Sequence, residues 1–145
     1  MAALEKRYPR ESFTKKLERI CQRLDEASIR TIAHKDFFNK PATTQVEITS
    51  LWAVGSYARG AMTCGDLDLV VEYRLVEGPH PAPRKITKTF FGALPYVSYY
   101  FGKPESSTSG VLFPDVIPIW TEPGCDWRAA IDSIKPVPSA GRATR

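Results

Sequence analysis

The chain has 145 residues, 43% of them hydrophobic and 25% charged, and a formal net charge of +4. That is the make-up of one ordinary soluble globular domain, large enough to bury a core. No apolar run approaches the roughly 20 residues that span a bilayer, so no membrane partner is expected. Residues 1–7 lack the apolar core of a signal peptide. The three cysteines, Cys21, Cys64 and Cys125, are odd in number and far apart, with no CxxC pair. They argue against a disulfide framework and a zinc site and for a reducing, cytoplasmic location. Residues 1–40 hold ten Lys and Arg against six Asp and Glu, and the remainder holds ten against ten. The positive excess therefore sits in the N-terminal segment, either as a solvated helix face or as a flank that attracts polyanions.

Residues 12 to about 33 are expected to form an amphipathic helix. Ser12 is its cap, and Phe13, Leu17, Ile20, Leu24 and Ala27 lie on one face. Asn39-Lys40-Pro41 breaks it. His34 is expected at a helix end or on the surface. Residues 45–54 form the first strand, which stops at Gly55-Ser56, and a short helix over 57–62 places that turn at a helix N-terminus, where backbone N–H groups favour anions. Residues 66–74 form the second strand. Side chains two apart on a strand share a face, so Asp66 and Asp68 project together, about 6–7 Å apart, while Leu67 and Leu69 point the other way. Two carboxylates so placed repel unless a cation lies between them, and magnesium, or manganese, suits oxygen ligands. Glu72 shares the face but lies two steps further on.

The segment 78–83, with His80, is a rigid exposed connector. Residues 85–94 form a short helix and 96–101 an aromatic strand. Residues 102–110 form a flexible loop in which Lys103 and Ser106 to Ser109 are candidate nucleotide contacts. Among Phe90, Phe91, Tyr96, Tyr99, Tyr100 and Phe101, most are core, and one exposed ring is available to stack on a base. Residues 111–120 form a third strand with one carboxylate, Asp115, in an apolar setting. Pro114 and Pro118 restrict it to an edge or to bulged pairing. One domain is expected over 1–132, followed by a flexible tail over 133–145.

Val54-Gly55-Ser56, nine residues, then Asp66-Leu67-Asp68-Leu69 resembles the signature of the polymerase-β-like nucleotidyltransferase superfamily. Tyr57-Ala58-Arg59-Gly60 is similar to an Ala-Arg-Gly extension found in many members. Phe113 to Pro118 is similar to the third-aspartate strand of cyclic GMP-AMP synthase-like and oligoadenylate-synthase-like branches and of archaeal CCA-adding enzymes. The resemblance implies an α+β fold, a mixed β-sheet flanked by helices. It implies metal-dependent transfer of a nucleoside monophosphate from a nucleoside triphosphate, ATP first among candidates, to a hydroxyl, with release of pyrophosphate. Asp66, Asp68 and Asp115 would be the catalytic metal ligands, and Gly55, Ser56 and Arg59 would bind the nucleotide. The chain departs from the pattern in having Gly65 where serine is frequent, and the helical domain that completes the pocket of larger members is not expected within it, so it is read either as a minimal single-domain transferase or as the excised core of a longer protein. A protein partner or such a domain is the expected supplement. Two other readings stay open. One is a non-catalytic nucleotide-binding or protein-interaction relative. The other is a nucleic-acid-binding domain that uses the basic N-terminal segment. An Asp-Leu-Asp-Leu strand is by itself also an ordinary half-exposed strand.

Overall fold

The computed structural model describes residues 6–106 and 113–138. A two-residue strand, β1 (Tyr8–Pro9), leads straight into α1 (Arg10–Glu26). Proline's fixed φ suits this helix entry, and Ser12 lies inside the first turn with its Oγ donating to the Pro9 carbonyl, so it is not the expected cap. Phe13, Leu17, Ile20 and Leu24 are fully buried on one face of α1, as the spacing requires.

The helix expected to reach residue 33 ends at Glu26. It gives way to an edge strand, β2 (Ile29–Lys35), on which Ile32 and His34 are the buried positions. Ile29, Thr31 and Ile32 are β-branched and fit a pleated surface. Apolar period 3.6 changes to period 2 after Leu24, and Ala27 continued the stripe by spacing alone. His34 is accordingly buried, with its Nε2 2.7 Å from the Thr44 hydroxyl. The expected break at residues 39–41 is the tip of a β-hairpin. There Asp36 Oδ1 accepts from the Phe38 and Lys40 amides, and Asn39 takes a left-handed φ of 61°.

The hairpin returns as the long strand β3 (Pro41–Val54). Val46 and Ile48 face the core, and so do Leu51 and Ala53. A register shift between Ile48 and Ser50 moves the apolar set back onto the same face. The chain continues through α2 (Gly55–Ala58), β4 (Thr63–Cys64), β5 (Leu67–Glu77), α3 (Pro83–Phe91), β6 (Val97–Phe101), β7 (Val116–Trp120) and α4 (Trp127–Asp132). The main sheet runs β2-β3-β5-β6, with β7 also on β3. β3 is antiparallel to its three partners and β5 is parallel to β6, so the domain is α+β with a mixed sheet. β1 and β4 form a separate small ladder. Pro118 stands opposite Trp52 at a register shift, and among the described residues β7 pairs with β3 alone, which is where proline is tolerated. Residues 111 and 112 of the expected third strand lie outside the described residues.

α1, α3 and α4 share a core with Leu67, Leu69 and Val71 of β5. No helix among the described residues is long and apolar enough to cross a membrane. Of the tail expected over 133–145, residues 133–138 are described and are held: Ile134 is buried in the core, and the Val137 amide donates to the Gly60 carbonyl at 2.7 Å. An apolar side chain and a backbone bond hold this segment, and a periodicity search detects neither.

Asp25 ties the far end of α1 to the C-terminal part of the fold. Its carboxylate accepts from the indole N–H of Trp120 at 2.9 Å and of Trp127 at 2.7 Å. Desolvation pushes this carboxyl up, but the two indole bonds, the Gly124 amide and the Arg128 charge outweigh it, and its pKa lies below the ordinary value. A depressed carboxylate stabilises the fold above its unfolded pKa of about 3.9, and that contribution is lost as pH falls through the lower, folded value. Asp25→Asn should therefore cost about 1–2 kcal/mol at pH 7, kept small because the side chain is open to solvent. The difference in melting temperature from wild type should narrow on acidification below the ordinary carboxylate range. A gap that widens with acid would refute the assignment.

Candidate active site

β3 ends at Val54, and Val54 pairs with Asp68 of β5 on one side and Val116 of β7 on the other. Asp115 immediately precedes Val116. The Gly55 turn, the carboxylate strand and the third-aspartate segment thus meet at one end of the sheet. Gly55 has φ 72°, and a Cβ there would lie 2.7 Å from Asp68 Oδ2. The turn backbone and this carboxylate are packed against each other, with space for a hydrogen but not a methyl.

Asp66 lies one residue before β5. Ser98, the β6 partner of Asp68, directs its hydroxyl to Asp66 Oδ2 at 3.5 Å. Asp66 and Asp68 therefore share the face opposite Leu67 and Leu69, which are fully buried under the helices. Asp115 is engaged differently: Arg59 Nη1 stands 3.5 Å from its Oδ2. A second guanidinium nitrogen, Nη2, is buried without a hydrogen-bond partner among the described residues. Among those residues, no group of three or more His, Cys, Asp and Glu side chains is gathered closely enough to hold a metal ion. Ser56, whose hydroxyl was expected to meet phosphate, is only 2% exposed.

Glu72 and Lys103 pair with each other at 3.9 Å, and Thr49 donates to Glu72 Oε1 at 3.2 Å. Both belong to the scaffold of this sheet face. Of the loop 106–109, only Ser106 lies within the described residues. Phe90 and Phe91 are core. The exposed ring is Tyr96, which has a left-handed φ of 61° and packs on Tyr8 with centroids 4.5 Å apart. The Tyr8 phenol is pushed up, first by its hydrogen bond with Tyr96 and in smaller part by the charge of Asp66. His80 hydrogen-bonds the Tyr73 hydroxyl at 2.6 Å, away from the site.

Arg10 is the residue that sequence reasoning missed. It is buried, and its Nη1 donates to the carbonyls of Tyr57 at 2.7 Å and Ala61 at 3.2 Å. The guanidinium carbon lies 4.0 Å from the centre of the Tyr57 ring, whose hydroxyl is 2.6 Å from that of Thr14. Burial pushes the Tyr57 phenol up. Arg10 thus holds the segment just after the Gly55 turn. Its signal was positional: Arg10, Phe13 and Leu17 are spaced i, i+3, i+7 on the buried stripe. Arg10→Met should cost about 2 kcal/mol, since two carbonyls lose a charged donor, and Arg10→Lys should restore little of it because lysine lacks the planar fork. Equilibrium urea unfolding measures both. Equal stability of Arg10→Met and wild type would remove Arg10 from this role.

In comparisons with known proteins, no family model, no curated protein and no solved structure matched the chain.

Proposed function

We propose that the chain is a metal-dependent nucleotidyltransferase of polymerase-β-like fold, which transfers a nucleoside monophosphate from a nucleoside triphosphate, ATP in the first instance, to a hydroxyl acceptor. One observation carries this reading: the Gly55 backbone is packed so closely on the Asp68 carboxylate that a Cβ would stand 2.7 Å from it. A phosphate-holding turn and a metal-holding carboxylate must be neighbours if a single triphosphate is to touch both.

The fit to a divalent cation rests on donor chemistry. Asp66 and Asp68 offer oxygen alone, on one face, which suits a hard ion, and glycine at 55 brings the turn backbone against Asp68 with no side chain between them. Asp66 and Asp68 would hold magnesium or manganese, with Asp115 as a third ligand once Arg59 exchanges it for a nucleotide phosphate. Such an ion, when bound, supplies charge neutralisation at phosphoryl oxygens and a lowered pKa for the acceptor hydroxyl. Gly55 and Ser56 bind triphosphate through backbone N–H groups, because little of the Ser56 side chain reaches the surface. Tyr96 offers an exposed face to a base.

A second reading, a nucleotide-binding relative without transfer activity, is favoured by the Arg59–Asp115 pair, which occupies the third carboxylate. One experiment separates the two. The chain is incubated with α-labelled nucleoside triphosphate and magnesium, with a nucleotide, an oligoribonucleotide end and its own hydroxyls as acceptors. Label transfer with stoichiometric pyrophosphate supports the enzyme. Magnesium-dependent triphosphate binding without transfer supports the second reading. Absence of both overturns both.

A further inference from the structure

The helix-bearing face of the sheet has a feature that this chemistry leaves unused. A cleft of about 500 Å³ lies between α3 and the outer strand β6, a volume within the range of small-ligand sites. Arg84, Lys85 and Lys88 line it. Arg84 and Lys88 are four apart on α3, and Lys85 and Lys88 three apart, so three like charges crowd two turns of one helix. None of the three forms an ion pair among the described residues. Uncompensated cations at this spacing repel, and an anion between them relieves the repulsion.

A second observation points the same way. Tyr99 lines the cleft, and its hydroxyl is buried with no hydrogen-bond partner among the described residues. Its ring is stacked on Phe91, centroids 5.5 Å apart and planes 18° from parallel, so the hydroxyl cannot turn away to find one. Buried polar groups are rarely left in this state. Desolvation pushes the phenol up, so at neutral pH it is an O–H donor. The space over Gly92, where α3 ends, is open.

We propose that this cleft is a phosphate-binding site, which takes the phosphate ester or diphosphate of a small anionic ligand on Arg84, Lys85, Lys88 and the Tyr99 hydroxyl. Alternation along β6 puts Tyr99 on the core side and Ser98, with Asp66, on the other. The site is thus separate from the candidate active site and does not rest on the proposed transferase activity.

The test is calorimetric titration of the whole chain with inorganic pyrophosphate in EDTA, with ADP and a single-stranded oligonucleotide as competitors. Saturable binding is expected, with ADP competing if the phosphate comes from a nucleotide and failing if the site takes free phosphates. Arg84→Ala with Lys88→Ala, both on exposed positions, should weaken it about 10-fold or more, and Tyr99→Phe several-fold. Asp66→Asn with Asp68→Asn should leave it unchanged. The proposal is overturned if pyrophosphate fails to bind, if the α3 variants bind it as wild type does, if the aspartate variants lose it, or if only the oligonucleotide binds.

Discussion

Asp66→Asn combined with Asp68→Asn should lower nucleotidyl transfer by about a thousand-fold or more while the protein stays folded. Bound cations supply several kcal/mol of stabilisation to a charged transition state, and each 1.4 kcal/mol is about tenfold in rate. Asparagine keeps the shape of aspartate but gives up its charge, so the loss falls on cation binding and the chemistry that depends on it. Both side chains are half-buried and lie opposite the helical core, so the melting temperature should move by only a few degrees. Triphosphate binding should lose its magnesium dependence along with the rate. Transfer at the wild-type rate in the double variant would sink the transferase proposal. A collapse of the fold would instead make the two aspartates structural, and the circular dichroism spectrum tells these outcomes apart.

Gly55→Ala should cost about 1–3 kcal/mol of stability, most of it backbone strain, and impair the site as well. Two effects add. An alanine at φ 72° pays for a left-handed backbone, about 1–2 kcal/mol. Its methyl would also stand 2.7 Å from Asp68 Oδ2, so either the carboxylate moves or the turn opens. Urea unfolding measures the first effect, and magnesium-dependent triphosphate binding the second. The two need not scale together. Gly60→Ala is the informative control: there a Cβ would meet the Lys135 carbonyl at 2.2 Å, at φ 89°, so it should destabilise the docking of residues 135–137 without touching Asp68. If Gly55→Ala is as stable as wild type, the contact on which the proposed site rests is not the one drawn.

Where the pattern lay in neighbouring residues, local structure followed from the sequence alone. The stripe Phe13, Leu17, Ile20 and Leu24 required a helix with one buried face. The alternation Asp66 to Leu69 required acid on one side of a strand and aliphatic on the other, and Gly55 marked the end of the strand before it. Pro114 and Pro118 restricted the third strand to an edge or to bulged pairing, and Pro118 sits at a register shift of β7 on β3. Period-based evidence failed where two periods overlap, as at residues 27–33, where Ala27 fits a helix but Ile29, Thr31 and Ile32 take the strand position beside β3. It was also blind to Ile134, a single apolar residue with no periodic companions. Contacts between residues distant in sequence belonged to the tertiary structure alone. Arg10 reaches across to the carbonyls of Tyr57 and Ala61, Arg59 closes on Asp115, and Asp25 collects the indoles of Trp120 and Trp127. The cleft of Arg84, Lys85, Lys88 and Tyr99 exists only because α3 folds back over β6. The physical reason is common to all of these. Propensity and periodicity are set by bonds and sterics within a few residues, whereas a polar group's partner is set by which strands and helices come to lie together.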